Sequence, residues 1–253
     1  MILELHGSMG DHVLATGIPE AYFKYYGEKT KIISKKGDDF WKTNPYITDE
    51  DIGDYHSLAF NQGPKDYMIY NPVRVFYDIT GYIVNRKEVA PNLYLERVPE
   101  QGLVVINDQA GWPNRRGYRY FDELAGSLLE LGYHIMYMRN DSFQDCVGQS
   151  SEKAITNYTE FITNLSIKSG IEILRKADLY IGYDSGYANV AGALKVPYVF
   201  LASSVAPINT QHDSCIYTLD GFCKHCNSDS CTENCLRSAP NKNAEILEAI
   251  RTT

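Results

Sequence analysis

The stretch Leu179-Tyr-Ile-Gly-Tyr-Asp184-Ser185-Gly186-Tyr187 passes from an apolar run through a polar, glycine-bearing turn into a second apolar segment ending at Leu194. A short unbroken run such as Leu179 to Gly182 reads as a strand covered on both faces. Asp184 or Ser185 can cap a following helix, predicted over Tyr187 to Leu194. Pro197 to Leu201 is the next strand. Upstream, Ile171, Leu174 and Ala177 mark a helix, and His134 to Met138 a strand. Phe121, Leu124, Ala125 and Leu128 fall on one helix face, closed by the glycine of Leu131-Gly-Tyr. Leu103 to Ile106 opens the series as another buried strand. Strand-then-helix repetition implies a parallel sheet with crossover helices.

The N-terminal part starts its own series. Ile2 to Leu5 reads as a strand, and Val13, Leu14, Gly17, Ala21 and Tyr25 give helical spacing. Lys31-Ile-Ile-Ser is a second strand. Asp38 to Thr43 reads as a short helix stopped near Asn44-Pro45, because a proline disfavours helix in the residue before it. Asp66 to Tyr70 reads as a strand and Val75 to Val84 as a helix. The final helix runs from about Asn243 to Arg251. The fold class is therefore α/β with two Rossmann-like halves, residues 1–98 and 99–253, the first reduced in size.

The chain has 253 residues, 44% apolar and 22% charged, which is enough for a real core and unlike a disordered chain. Its net charge, 24 − 32 = −8, argues against a nucleic-acid binder held by phosphate contacts. A local pocket for an anion remains compatible with it. No apolar run approaches the ~20 residues of a membrane span, and the N-terminus lacks the basic and apolar regions of a signal peptide. The expected location is cytoplasmic, with peripheral membrane contact by a surface helix and oligomer formation left open.

Four constellations can carry chemistry. Gly7-Ser8-Met9-Gly10-Asp11 lies between a strand and a helix, where glycines allow close backbone approach and helix amides attract anions. Asp11 is either a first-turn carboxylate favoured by the helix dipole or a general base at the carboxyl end of a parallel sheet. Asp184-Ser185-Gly186-Tyr187 is either a capped turn or a diphosphate-receiving one. Gly111-Trp-Pro-Asn-Arg115-Arg116 follows a strand, and its arginines can grip phosphate bidentately unless merely solvated. Cys223, Cys226, Cys231 and Cys235 fall within thirteen residues. In a cytosolic chain that clustering reads as metal before disulfides, and four thiolates suit structural zinc or iron. His212 and His225 are alternative ligands. Neither a G-x-S-x-G elbow nor a Walker A loop is present.

Taken in order, these residues resemble glycosyltransferase family 9, the heptosyltransferases of lipopolysaccharide cores and their relatives. Gly10-Asp11-His-Val-Leu-Ala-Thr16-Gly-Ile-Pro19 is similar to the family's G-D-x-x-x-x-T-x-x-P segment. Asn44-Pro45-Tyr46-Ile47 is similar to N-P-Y-I, and Ala177 to Gly186 to A-D-L-x-I-G-x-D-S-G. Ala193-Leu-Lys-Val-Pro197 matches A-L-G-x-P in part. The resemblance implies a GT-B fold, two domains facing across a cleft, and transfer from a nucleotide-diphospho-sugar, usually ADP-heptose, to a glycan such as lipopolysaccharide. It implies Asp11 as general base and no catalytic metal. Ser8, Met9, Gly10, Arg115, Arg116, Asp184, Ser185, Gly186 and Tyr187 are the implied donor-binding residues. The chain departs from the family at Asn189, usually His, and at Lys195, usually Gly. The cysteine cluster is similar to that of an iron-holding branch acting on autotransporter proteins, for which the acceptor is a protein hydroxyl. A degenerate relative that binds without catalysis is the further alternative.

Overall fold

The structure, a computed structural model, describes residues 1–34, 39–51, 53–59, 71–109, 118–139, 155–202, 212–220 and 239–253. The strands are β1 (Ile2–His6), β2 (Lys31–Ser34), β3 (Tyr55–Ala59), β4 (Leu103–Asn107), β5 (His134–Arg139), β6 (Glu160–Thr163), β7 (Leu179–Tyr183), β8 (Tyr198–Ala202) and β9 (Cys215–Asp220). They form two sheets, ordered β2-β1-β3 and β6-β5-β4-β7-β8-β9. The pairings in both are parallel. The helices are α1 (Met9–Ala15), α2 (Ile18–Tyr26), α3 (Asn71–Thr80), α4 (Phe121–Glu130), α5 (Ile167–Lys176), α6 (Gly186–Ala193) and α7 (Asn243–Arg251). The α/β fold with parallel sheets follows the expectation from strand–helix alternation.

Every residue of β4, β7 and β8 is buried, as continuous apolar runs in the middle of a parallel sheet require. Their alternate side chains feed two cores. On one face Val104, Ile106, Tyr137, Ile181 and Tyr183 pack with Phe121, Leu124 and Leu128 of α4 and Ile246 of α7. On the other, Val105, Tyr180, Tyr198 and Phe200 pack with Ile171 and Leu174 of α5 and Ala188 and Val190 of α6. This second core continues without a break into Leu3, Leu5, Val13, Leu14 and Ile18 around the smaller sheet. One apolar cluster therefore serves both sheets.

The single helix expected over Val13 to Tyr25 is two. The Thr16 hydroxyl donates to the Val13 carbonyl at 2.7 Å, ending α1. A Cβ on Gly17 would collide with the Val89 and Ala90 carbonyls, so another segment of chain passes against the break. Pro19 then sits in the first turn of α2, where its missing N–H costs nothing. Residues 39–43 form turns instead of the expected helix. Strands β3, β6 and β9 were not anticipated, and the strand expected at Asp66 to Tyr70 lies outside the described residues.

Between α3 and β4 the chain runs through residues 81–102 and is fastened to α5. The Val98 and Glu100 N–H groups donate to the Arg175 and Lys176 carbonyls at 3.0 and 2.8 Å. Arg97 donates to the carbonyls of Ala177 and Lys195 at 2.7 and 3.2 Å, placing one cation over the C-terminal ends of α5 and α6. Burial holds its guanidinium below the usual arginine range, while Asp178 opposes that shift.

Helix α6 ends in a Schellman motif. The Lys195 N–H meets the Gly192 carbonyl at 3.0 Å and the Val196 N–H meets the Ala191 carbonyl at 2.9 Å. The motif needs a left-handed residue, and Lys195 supplies it at φ 59°. A side chain there costs on the order of 1–2 kcal/mol, partly offset by the greater entropy that glycine loses on folding. Lys195→Gly is expected to stabilise the protein by about 0.5–1 kcal/mol in urea unfolding.

Candidate active site

In an open parallel sheet, ligands sit outside the carboxyl ends of the strands where the winding changes direction. In the larger sheet the chain moves from β4 to β5 and β6 on one side, and β7, β8 and β9 lie on the other, so that point falls between β4 and β7. Its rim is Asn107-Asp108-Gln109 after β4 and Asp184-Ser185 after β7. In the smaller sheet β1 is central, and its carboxyl end leads into Gly7-Ser8-Met9.

The two rims meet. A Cβ on Gly186 would collide with the Met9 side chain, and one on Gly10 would stand 2.9 Å from Asn189 Nδ2 and 3.6 Å from Gly186 Cα. Met9, Gly10, Gly186 and Asn189, far apart in sequence, are thus in direct contact. Helices α1 and α6 approach so closely because each places a glycine at the contact.

Asp11 is 8% exposed and stands at the third position of α1. Its Oδ2 accepts the Ser8 N–H at 2.6 Å and the Ser8 hydroxyl at 2.8 Å. This is the helix-capping carboxylate that the sequence offered as the plainer reading, and it fixes the side chain within the turn. Gly7 makes it possible: its φ is 120°, and a Cβ there would lie 2.5 Å from Asp11 Oδ2. The neighbouring His12 is buried, with Nδ1 3.0 Å from the Ser34 hydroxyl at the end of β2.

Ser185 is the N-cap of α6, its hydroxyl accepting the Ala188 N–H at 3.3 Å. The Tyr180 hydroxyl lies 3.4 Å from the same oxygen. Tyr187 lays its ring on Gly170 of α5. Asp184 is half-buried at the start of this turn. Arg115 and Arg116, and Cys223, Cys226, Cys231 and Cys235 with His225, lie outside the described residues. Among the described residues no group of three or more His, Cys, Asp or Glu could hold a metal ion. No helix among them is long and apolar enough to cross a membrane.

Sequence reading passed over two features of this region. Asn107, Asp108 and Gln109 are buried polar residues directly beyond an apolar strand, which was the available signal. Asn107 Nδ2 donates to the Met138 carbonyl at 2.9 Å, tying the ends of β4 and β5. The second is a pair. Asn189 Oδ1 lies 3.0 Å from Nε2 of His212, and the Asn189 Nδ2 donates to the Ser185 carbonyl at 3.3 Å. His212, considered as a metal ligand or a surface residue, is instead buried, its backbone N–H donating to the Tyr198 hydroxyl at 2.7 Å.

The sequence pattern of glycosyltransferase family 9 (heptosyltransferase) matches residues 87–236. The chain belongs to this family, and so is a glycosyltransferase. No curated protein matches it. Among solved structures it is similar to a family 9 glycosyltransferase from Veillonella parvula, at 13% identity over 99% of this chain and 95% of that one, with a TM-score of 0.68. It is similar to TibC, a dodecameric iron-containing heptosyltransferase solved with ADP-D-β-D-heptose, at 19% identity over 99% and 76%, with a TM-score of 0.67. TibC comes from enterotoxigenic Escherichia coli. It is also similar to the E. coli heptosyltransferase WaaC solved with ADP, at 11% identity over 99% and 98%, with a TM-score of 0.65.

Burial, helped by the nearby Arg86 charge, pushes the His212 imidazole down to about 3. The unfolded chain takes up this proton near pH 6.5 and the folded chain does not, so folding loses stability as pH falls from 6.5 toward 3. Urea unfolding at pH 6.5 and pH 5 is expected to show the parent losing on the order of 1–2 kcal/mol more than His212→Gln, which has no group to titrate.

Proposed function

We propose that the protein is an inverting glycosyltransferase. It takes a heptose or related sugar from a nucleotide-diphospho-sugar, ADP-linked by analogy with its structural relatives, and passes it to a glycan acceptor such as a surface polysaccharide.

 The carrying observation is the meeting of the Ser8-to-Asp11 turn with the Asp184-to-Gly186 turn, through Gly10, Gly186 and Asn189. It supports placing an acceptor-activating carboxylate beside a donor-holding turn. The TibC and WaaC structures, solved with ADP-heptose and ADP, support the choice of donor.

In this reading residues 1–98 and 99–253 act as two domains of a GT-B enzyme, with acceptor contacts mainly in the first and donor contacts mainly in the second. The Asp11 carboxylate takes the proton of the acceptor hydroxyl. The hydroxyl oxygen attacks the anomeric carbon from the face opposite the leaving group, the bond to the diphosphate breaks, and the nucleoside diphosphate leaves with the electron pair. Inversion follows from the single displacement. The first-turn amides of α6 at Gly186 and Tyr187, with Arg115 and Arg116, stabilise the negative charge that develops on the diphosphate. Ser8, Met9 and Gly10 line the donor from the opposite turn. No catalytic metal takes part in this scheme. The four cysteines would hold structural zinc or iron, since four thiolates are a donor set that suits either. Their presence, and the likeness to an iron-containing heptosyltransferase, favour a second reading in which the acceptor is a protein hydroxyl.

Titration with ADP, GDP, UDP, CDP and dTDP by calorimetry tests the donor. One diphosphate is expected to bind selectively and to lose affinity in Arg115→Ala or Arg116→Ala. Asp11→Asn is expected to keep that binding while transfer falls roughly 10²–10⁴-fold, the usual cost of removing a general base. Unchanged turnover would remove Asp11 from the role.

A further inference from the structure

Asn189 and His212 form a unit whose atoms are oriented by their surroundings. The Ser185 carbonyl can only accept, so the Asn189 group 3.3 Å from it is the amide nitrogen. Oδ1 then faces His212 Nε2 at 3.0 Å and can only accept from it. His212 is therefore the tautomer with its proton on Nε2. The imidazole is itself held: its backbone N–H is bonded to the Tyr198 hydroxyl at 2.7 Å, and its ring lies against Gly192, where a Cβ would collide with it. The same Asn189 nitrogen would stand 2.9 Å from a Cβ on Gly10. A chain of contacts thus runs from the segment between β8 and β9, through α6, to the first turn of α1, one residue before Asp11.

We propose that His212 is a positioning residue: by locking the Asn189 amide against Gly10 and the Ser185 carbonyl, it sets the spacing between Asp11 and the donor-holding turn. The inference rests on the glycosyltransfer reading above. Without the Nε2 proton, the Asn189 amide keeps only its bond to the Ser185 carbonyl, and the surface on which the first turn of α1 packs is no longer held in one plane. The charge and the groups that touch the donor stay in place. The effect therefore belongs to turnover and not to nucleotide affinity, since small misplacements of reacting groups are costly.

The experiment compares His212→Leu, which keeps apolar volume but no donor, with His212→Gln, which restores an N–H. Turnover of ADP-heptose is measured per folded molecule well below the unfolding temperature, and ADP binding by calorimetry. His212→Leu is expected to lower kcat roughly 10- to 100-fold with ADP affinity within about threefold of the parent, and His212→Gln to recover most of the loss. If His212→Leu gives too little folded protein, Asn189→Asp serves. It is close in shape, keeps an acceptor toward His212, and sets an oxygen against the Ser185 carbonyl, so kcat is expected to fall in the same way. A kcat within about twofold of the parent in the folded variant, or no recovery in His212→Gln, would overturn the proposal. The Gly10 amide resonance adds a readout that needs no turnover: it is expected to shift in His212→Leu and return toward its parental position in His212→Gln. A parent that transfers no sugar counts against the enzyme reading, whereas an unmoved Gly10 resonance counts against the contact chain itself.

Discussion

The contact between α1 and α6 is the constraint on which the rest of the site depends. It is made at backbone distance, with Gly10 and Gly186 on opposite sides and Met9 and Asn189 filling what the glycines leave. A larger residue at Gly186 would displace the Met9 side chain, and one at Gly10 the Asn189 amide. The two sheets supply the helices, and both direct their carboxyl ends toward this junction. The core that runs from Leu3 and Val13 to Ala188 and Val190 holds the arrangement from behind. Geometry at the site is thus inherited from close packing, which tolerates little change in volume.

The turn at Asp11 shows how one residue can have both a structural and a chemical reading. Its carboxylate closes the first turn of α1 by accepting from Ser8. That bond also removes the freedom of a side chain whose direction matters if it is to meet a hydroxyl. A cap and a base are therefore not exclusive descriptions. Gly7, with its left-handed backbone, is the residue that lets the carboxylate fold back onto the turn.

Much of the fold was legible because the central strands leave little ambiguity. β7, β8 and β4 up to Ile106 are runs of apolar and aromatic residues, as a strand buried on both faces needs to be. The close of α4 by Gly132, which takes a φ of 88°, was legible for the same kind of local reason. The peripheral strands were not. Tyr55-His-Ser-Leu-Ala and Glu160-Phe-Ile-Thr mix polar and apolar residues, as strands with a solvated face do, and a pattern that short is not distinctive. The break between α1 and α2 has local marks in Thr16 and Pro19, but the requirement for glycine at 17 was hidden, because the Val89 and Ala90 carbonyls that press on it lie some seventy residues away. In the site, the strand-to-helix turns were visible from local chemistry. The pairing of Asn189 with His212 was not, since only the path of the chain between β8 and β9 brings them together.

The fastening of residues 96–100 to α5 bears on how the molecule can move. Val98 and Glu100 are bonded to the last turn of α5, Arg175 donates to the Glu96 carbonyl at 2.8 Å, and Arg97 spans the ends of two helices. A segment so tied cannot serve as a free hinge. Any opening between the two sheets would then have to take its bending from the chain before Glu96 and its sliding from the α1–α6 contact.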